Sequence, residues 1–146
     1  MTWTSDTRGK VGGGVLMALL GAGIPALVGA ALDSHVGEPY RETRLYFGTK
    51  RPGAAGPVTP AEFTRFLDGE VTPAFPEGFT FHEGHGQWRD ARGALARESA
   101  YEVVLHYPEQ EAEERGAHVE AIRRAYERRF HQESVGRSDD KLEAEF

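Results

Sequence analysis

Apolar and polar positions alternate with a period of two through TRLYFGTK, residues 43–50, with Leu45 and Phe47 on one side and Arg44 and Tyr46 on the other. This period predicts a half-buried strand. RPGAAGPV, residues 51–58, reads as a Pro/Gly loop. The period then changes to that of a helix. Thr59 is placed to cap it, Pro60 suits the first helical position, and Glu62 completes a capping box. Phe63, Phe66, Leu67 and Val71 fall on one stripe before Thr72-Pro73 ends the helix. FTFHEGHGQW, residues 79–88, predicts a second strand with Phe79 and Phe81 inward. Gly84 and Gly86 predict a bulge, which leaves the facing of Gln87 and Trp88 open.

DARGA, residues 90–94, predicts a turn. RESAYEVVLHY, residues 97–107, alternates again, with Tyr101, Val103 and Leu105 inward and Glu98, Glu102 and His106 outward. Pro108 stops this strand, and a second helix is expected from about residue 111 to 130 on the stripe Val119, Ile122, Tyr126, Phe130. Its acidic start and arginine-rich end suit the helix dipole. ESVGR, residues 133–137, predicts a fourth strand, with SDDKLEAEF as a tail or a short extra strand. The order β-α-β-β-α-β predicts an α+β, ferredoxin-like fold: a four-stranded antiparallel sheet with two helices on one face. The other face is left for solvent, a second subunit or a ligand.

Residues 11–32, VGGGVLMALLGAGIPALVGAAL, carry no charge and follow Arg8 and Lys10. They predict either a cleaved signal peptide, with Val28-Gly29-Ala30 at its end, or a transmembrane anchor. Either way the basic end stays in the cytoplasm and the remainder lies outside, secreted or anchored to the cytoplasmic membrane. The expected organisation is a leader over 1–32, a linker over 33–42 and one domain over 43–146.

The formal net charge is −6. It becomes more negative without the leader, because Arg8 and Lys10 leave with only Asp6. Such a field repels phosphate backbones, so nucleic acid is not an expected partner, and the membrane is met only through the N-terminal segment. There is no cysteine, which excludes disulfides, thiolate metal sites and cysteine nucleophiles.

Leu45-Tyr46-Phe47-Gly48, Thr72-Pro73, Phe75-Pro76-Glu77-Gly78, Gly86-Gln87-Trp88, Glu98-Ser99 and Gln132-Glu133-Ser134-Val135 form a combination of motifs. Together they resemble an uncharacterised bacterial family of small exported proteins, a domain of unknown function, over residues 43 to 137. That family's pattern has an arginine where this chain has Ala74, so no role of that arginine carries over. The resemblance implies export and a single small domain, and it supplies no catalytic residue.

Three groups of residues invite chemistry. His82, Glu83 and His85, with His106 on the next strand, are ligand types for zinc, nickel or copper. A regular strand points His82 and His85 to opposite faces, so only a bulge at Gly84 unites them, and a solvated hairpin is the preferred reading. The open face is expected to carry Tyr46, Glu98 and Glu102, with Trp88 or Gln87 and cations from Arg44, Arg89 or Arg137. An aromatic platform with a carboxylate binds small ligands or supports acid–base work by Glu98. The competing reading is an ion-paired surface or a homodimer face. LYFG also resembles a ribonucleoprotein motif, but the third strand lacks the matching aromatic pair. No phosphate loop, nucleophile elbow, dinucleotide fingerprint or calcium loop occurs, and no cofactor is implied. The expected function is an extracytoplasmic binding or interaction domain for a small molecule or protein. The alternative is a small enzyme using the open face.

Overall fold

The computed structural model of the chain describes residues 37–146. The expected leader and its apolar segment lie outside the described residues. Four strands, β1 (Glu38–Gly48), β2 (Thr80–Arg89), β3 (Leu95–Pro108) and β4 (Gly136–Ala144), form one sheet in the order β2-β3-β1-β4. All three pairings are antiparallel. Helix α1 (Pro60–Phe66) runs on as a wider π turn over Leu67–Val71, where the Thr72 N–H reaches the Leu67 carbonyl at 2.9 Å. Helix α2 spans Ala112–Phe130. This is the ferredoxin-like arrangement expected from the order of elements.

The capping box at α1 is present: Thr59 Oγ1 accepts from the Glu62 N–H and the Glu62 carboxylate accepts from the Thr59 N–H. These bonds satisfy donors that a helix start leaves orphaned. Thr59 and Arg51 together bring the Glu62 carboxyl down to about 2. The apolar stripes of both helices bury against Leu45 and Phe47 of β1 and Tyr101, Val103, Leu105 and Tyr107 of β3. Aromatic rings dominate this layer. Phe63 stacks on Tyr101 with centroids 3.9 Å apart, and Phe47 meets Tyr126 edge-on at 4.7 Å. Burial raises the Tyr126 pKa, which keeps its hydroxyl protonated to donate to the Gly48 carbonyl at 2.8 Å.

The structure corrects the pattern in several places. β1 begins at Glu38, so residues 38–42 of the expected linker are strand. Their polar side chains have partners: Arg41 makes a two-pronged ion pair with Glu109 at 2.7 and 3.0 Å. The acidic tail is itself the fourth strand, and ESVGR contributes only its last two residues. Its helix-side positions are polar because they meet a polar end of the core. Thr43, fully buried, gives its one proton to Asp139 at 2.6 Å and so accepts from Tyr107 at 2.7 Å. Arg137 joins Asp139 to Glu120 of α2. Burial opposes ionisation of Asp139, but the Arg137 and Thr43 bonds outweigh it and hold its pKa below the usual range.

β2 has no bulge: its register with β3 is unbroken from Thr80↔Val104 to Arg89↔Leu95. Phe81 faces the helices but stays 44% exposed, because an edge strand is covered from one flank only. Among the described residues, no helix is long and apolar enough to cross a membrane.

Candidate functional site

Strand alternation assigns the open face. Tyr46 and Glu102 are opposite one another, and His82 pairs with Glu102 from the other flank. Gly86 pairs with Glu98, so the even-numbered residues of β2, Trp88 included, share that face. Gln87 therefore points to the helix side, where its Oε1 accepts from Arg97 at 2.8 Å. Arg89, opposite Leu95, and Arg137, opposite Leu45, are also on the helix side, so of the three expected cations Arg44 alone serves the open face.

Two different surfaces result. The first is an ion-paired row across the middle of the sheet. Arg44 donates to Glu42 at 2.6 Å and to Glu102 at 2.9 Å, while His106 pairs with Glu42 at 2.8 Å and His82 with Glu102 at 3.0 Å. The Arg44 hydrogen bond depresses the Glu42 pKa, and both glutamates raise that of Arg44. Each histidine is tied to its own carboxylate, and His85 lies on the opposite face of β2. The bulge at Gly84 that a union of His82 and His85 would require is not there. Among the described residues, no group of three or more metal-ligand side chains is close enough to hold an ion.

The second surface is a cavity of about 710 Å³ at the end of the sheet, between the open face and the turn after α2. Tyr46 and Trp88, 44% and 40% exposed, belong to its lining, as do Glu98, Gly48 and Gln132. One backbone residue positions two of these side chains. The Lys50 N–H donates to Glu98 Oε2 at 3.0 Å, and the Lys50 carbonyl accepts from Gln132 Nε2 at 2.7 Å. Gln132 Nε2 also reaches the Phe130 carbonyl at 3.4 Å, which turns its Oε1 the other way.

The remaining oxygens converge over Gly48. A side chain there would meet Gln132 Oε1 at 3.1 Å and Glu98 Oε1 at 3.2 Å. Neither oxygen accepts a hydrogen bond from the described residues, so two acceptors stand ready beside two aromatic rings. His131 makes this possible: it ends α2 in the left-handed conformation at φ 54° and turns the chain so that Gln132 folds back.

Of the residues singled out from sequence, Tyr46, Trp88 and Glu98 come together here and Gln87 does not. Gly48 and Gln132 belong to the LYFG and QESV motifs, whose pattern alone predicts no role for them. Their signal was a glycine inside an alternating strand and an amide just past a helix end.

No curated protein matches this chain. Solved structures do share its fold. A phage SAM lyase in complex with S-methyl-5'-thioadenosine superposes with a TM-score of 0.53 at 15% identity, covering 77% of this chain and 95% of that one. The phage SAM lyase in its apo state gives 0.51 at 17%, covering 77% and 96%. Identities this low speak for the fold alone. The model of the family described as "Protein of unknown function (DUF3574)" matches residues 42–146, and the chain belongs to that family.

Proposed function

We propose that the domain is a small-molecule binding module, working outside the cytoplasm behind the apolar segment of residues 11–32. The observation that carries this reading is a pair of acceptors unengaged among the described residues, Glu98 Oε1 and Gln132 Oε1, beside the rings of Tyr46 and Trp88. Such a site suits a flat ring joined to hydroxyl or amino donors: the ring packs on an aromatic face, and the donors satisfy the two oxygens. A nucleoside has both parts. The S-methyl-5'-thioadenosine in the phage lyase of like fold makes that molecule the first to try.

Calorimetric titration of the full chain with S-methyl-5'-thioadenosine is expected to give saturable binding. Trp88→Ala should weaken it by about 1–3 kcal/mol, the usual worth of a stacked base. Glu98→Gln should weaken it by about 1 kcal/mol or more through loss of a charged acceptor. An affinity untouched by both changes would sink the assignment of the site.

A second reading is a lyase-type enzyme with Glu98 as its acid–base group, favoured by the likeness to the phage enzyme. Incubation with S-adenosylmethionine followed by mass spectrometry separates the two. A product that disappears with Glu98→Gln favours the enzyme. Binding of the nucleoside without turnover favours the module.

A further inference from the structure

Among the described residues β2 is the outermost strand on its side of the sheet, and nine of its ten residues are exposed. Proteins guard such an edge with lysine, proline, a bulge or a short strand. β2 lacks all four, and the charged side chains that could also guard it are one acid and one base, Glu83 and Arg89, able to pair with a second copy instead of repelling it. It is ten residues long, its register is unbroken, and it contains neither lysine nor proline. The opposite edge, β4, carries Asp139, Asp140, Lys141 and Glu143.

We propose that β2 is a homodimer interface, in which two copies pair antiparallel about a twofold axis through Gly86 and join their four-stranded sheets into one. Charge selects this register. Centred on Gly86, Glu83 lies opposite the second copy's Arg89, and the symmetry repeats the pair on the other side. Glu83 has no ion-pair partner among the described residues, and Arg89 is engaged there through the Gly93 carbonyl at 3.0 Å. Both side chains are exposed and on the same face of β2.

The same register sets each Trp88 opposite the other copy's Gly84, on the open face. A side chain at Gly84 would meet none of the described residues within 4 Å, so there is space among them for the indole. An aromatic ring lying over a neighbouring strand's glycine is a stabilising cross-strand pair. Moving the axis by one residue, to His85, sets Glu83 opposite Gln87 and Arg89 opposite Phe81, and both ion pairs are lost. An axis normal to the sheet keeps both open faces on one side. The two cavities containing Trp88 then belong to one continuous surface.

The chain has no cysteine, so a single introduced thiol can link only to a second copy. Gly86→Cys is expected to give a covalent dimer of the full chain on oxidation, because residue 86 faces itself. A side chain there meets Glu98 and Trp88 at 3.9 Å, an ordinary contact. Gly84→Cys, facing Trp88, is expected to stay uncross-linked. Light scattering on the full chain in mild detergent should show a dimer. Glu83→Arg and Arg89→Glu should each lose it by setting like charges opposite one another twice. Mixing these two variants should restore a dimer, and so should combining them in one chain. A monomeric or trimeric wild-type chain, equal cross-linking at 84 and 86, or a dimer indifferent to the charge reversals would overturn the proposal.

Discussion

The two faces of the sheet are built from the same strands yet obey different physics. On the helix side of β1, Leu45 and Phe47 are fully buried; between them, on the open side, Tyr46 is 44% exposed. The helix side is held by packing, where volume and shape decide stability. The open side is held by paired charges in contact with water, where each pair contributes little. The contrast teaches where function has room. The packed face has few side chains to spare, while the open face can rearrange polar groups at low cost.

The sharpest test of this contrast is truncation in the packed layer. Phe47 touches Phe63, Phe66 and Tyr126. Phe47→Ala is expected to lower stability by about 3–5 kcal/mol in urea unfolding followed by circular dichroism. A loss below about 1 kcal/mol would mean that this layer is far more plastic than its geometry indicates.

Tyr126→Phe probes the seam between the two faces. The Tyr126 hydroxyl holds the Gly48 carbonyl directly beneath the cavity. Its removal leaves that carbonyl without this partner and should cost about 1–2 kcal/mol. If the cavity depends on this tie, nucleoside affinity should fall in the same variant.

The smallest effect is expected at Arg44→Ala on the open face. The melting temperature should move less than for Tyr126→Phe, and the difference should shrink in high salt. Its pH dependence has a definite sign. The Glu42 pKa is lowered in the folded state, chiefly by the Arg44 hydrogen bond. The stabilisation is therefore complete above the ordinary value of 4.5 and fades as pH falls below it. Wild type and variant should converge in acid. A difference that grows on acidification would contradict this pairing.

The legible part of the fold was the part with a clean period. Alternation in Leu45–Phe47 and Tyr101–Leu105 marked the two central strands, and the Thr59–Glu62 box marked a helix start, because each feature follows from local geometry. ESVGR places the fourth strand three residues too early, and leaves its continuation open between a tail and a short strand, because the core-side positions hold Arg137 and Asp139, whose partners Thr43 and Glu120 are distant in sequence. Gly84 and Gly86 predict a bulge, yet an edge strand tolerates glycine without breaking register when its neighbour supplies the ladder.

The sequence by itself determined the order of elements, the faces of the central strands and the exclusion of cysteine chemistry, since these depend on neighbours along the chain. Only the tertiary structure decided that Trp88 rather than Gln87 joins Tyr46 and Glu98. It alone brought Gln132 over Gly48 from more than eighty residues away. No local period encodes such a meeting, because it depends on how strands pair in space and where a helix ends against the sheet.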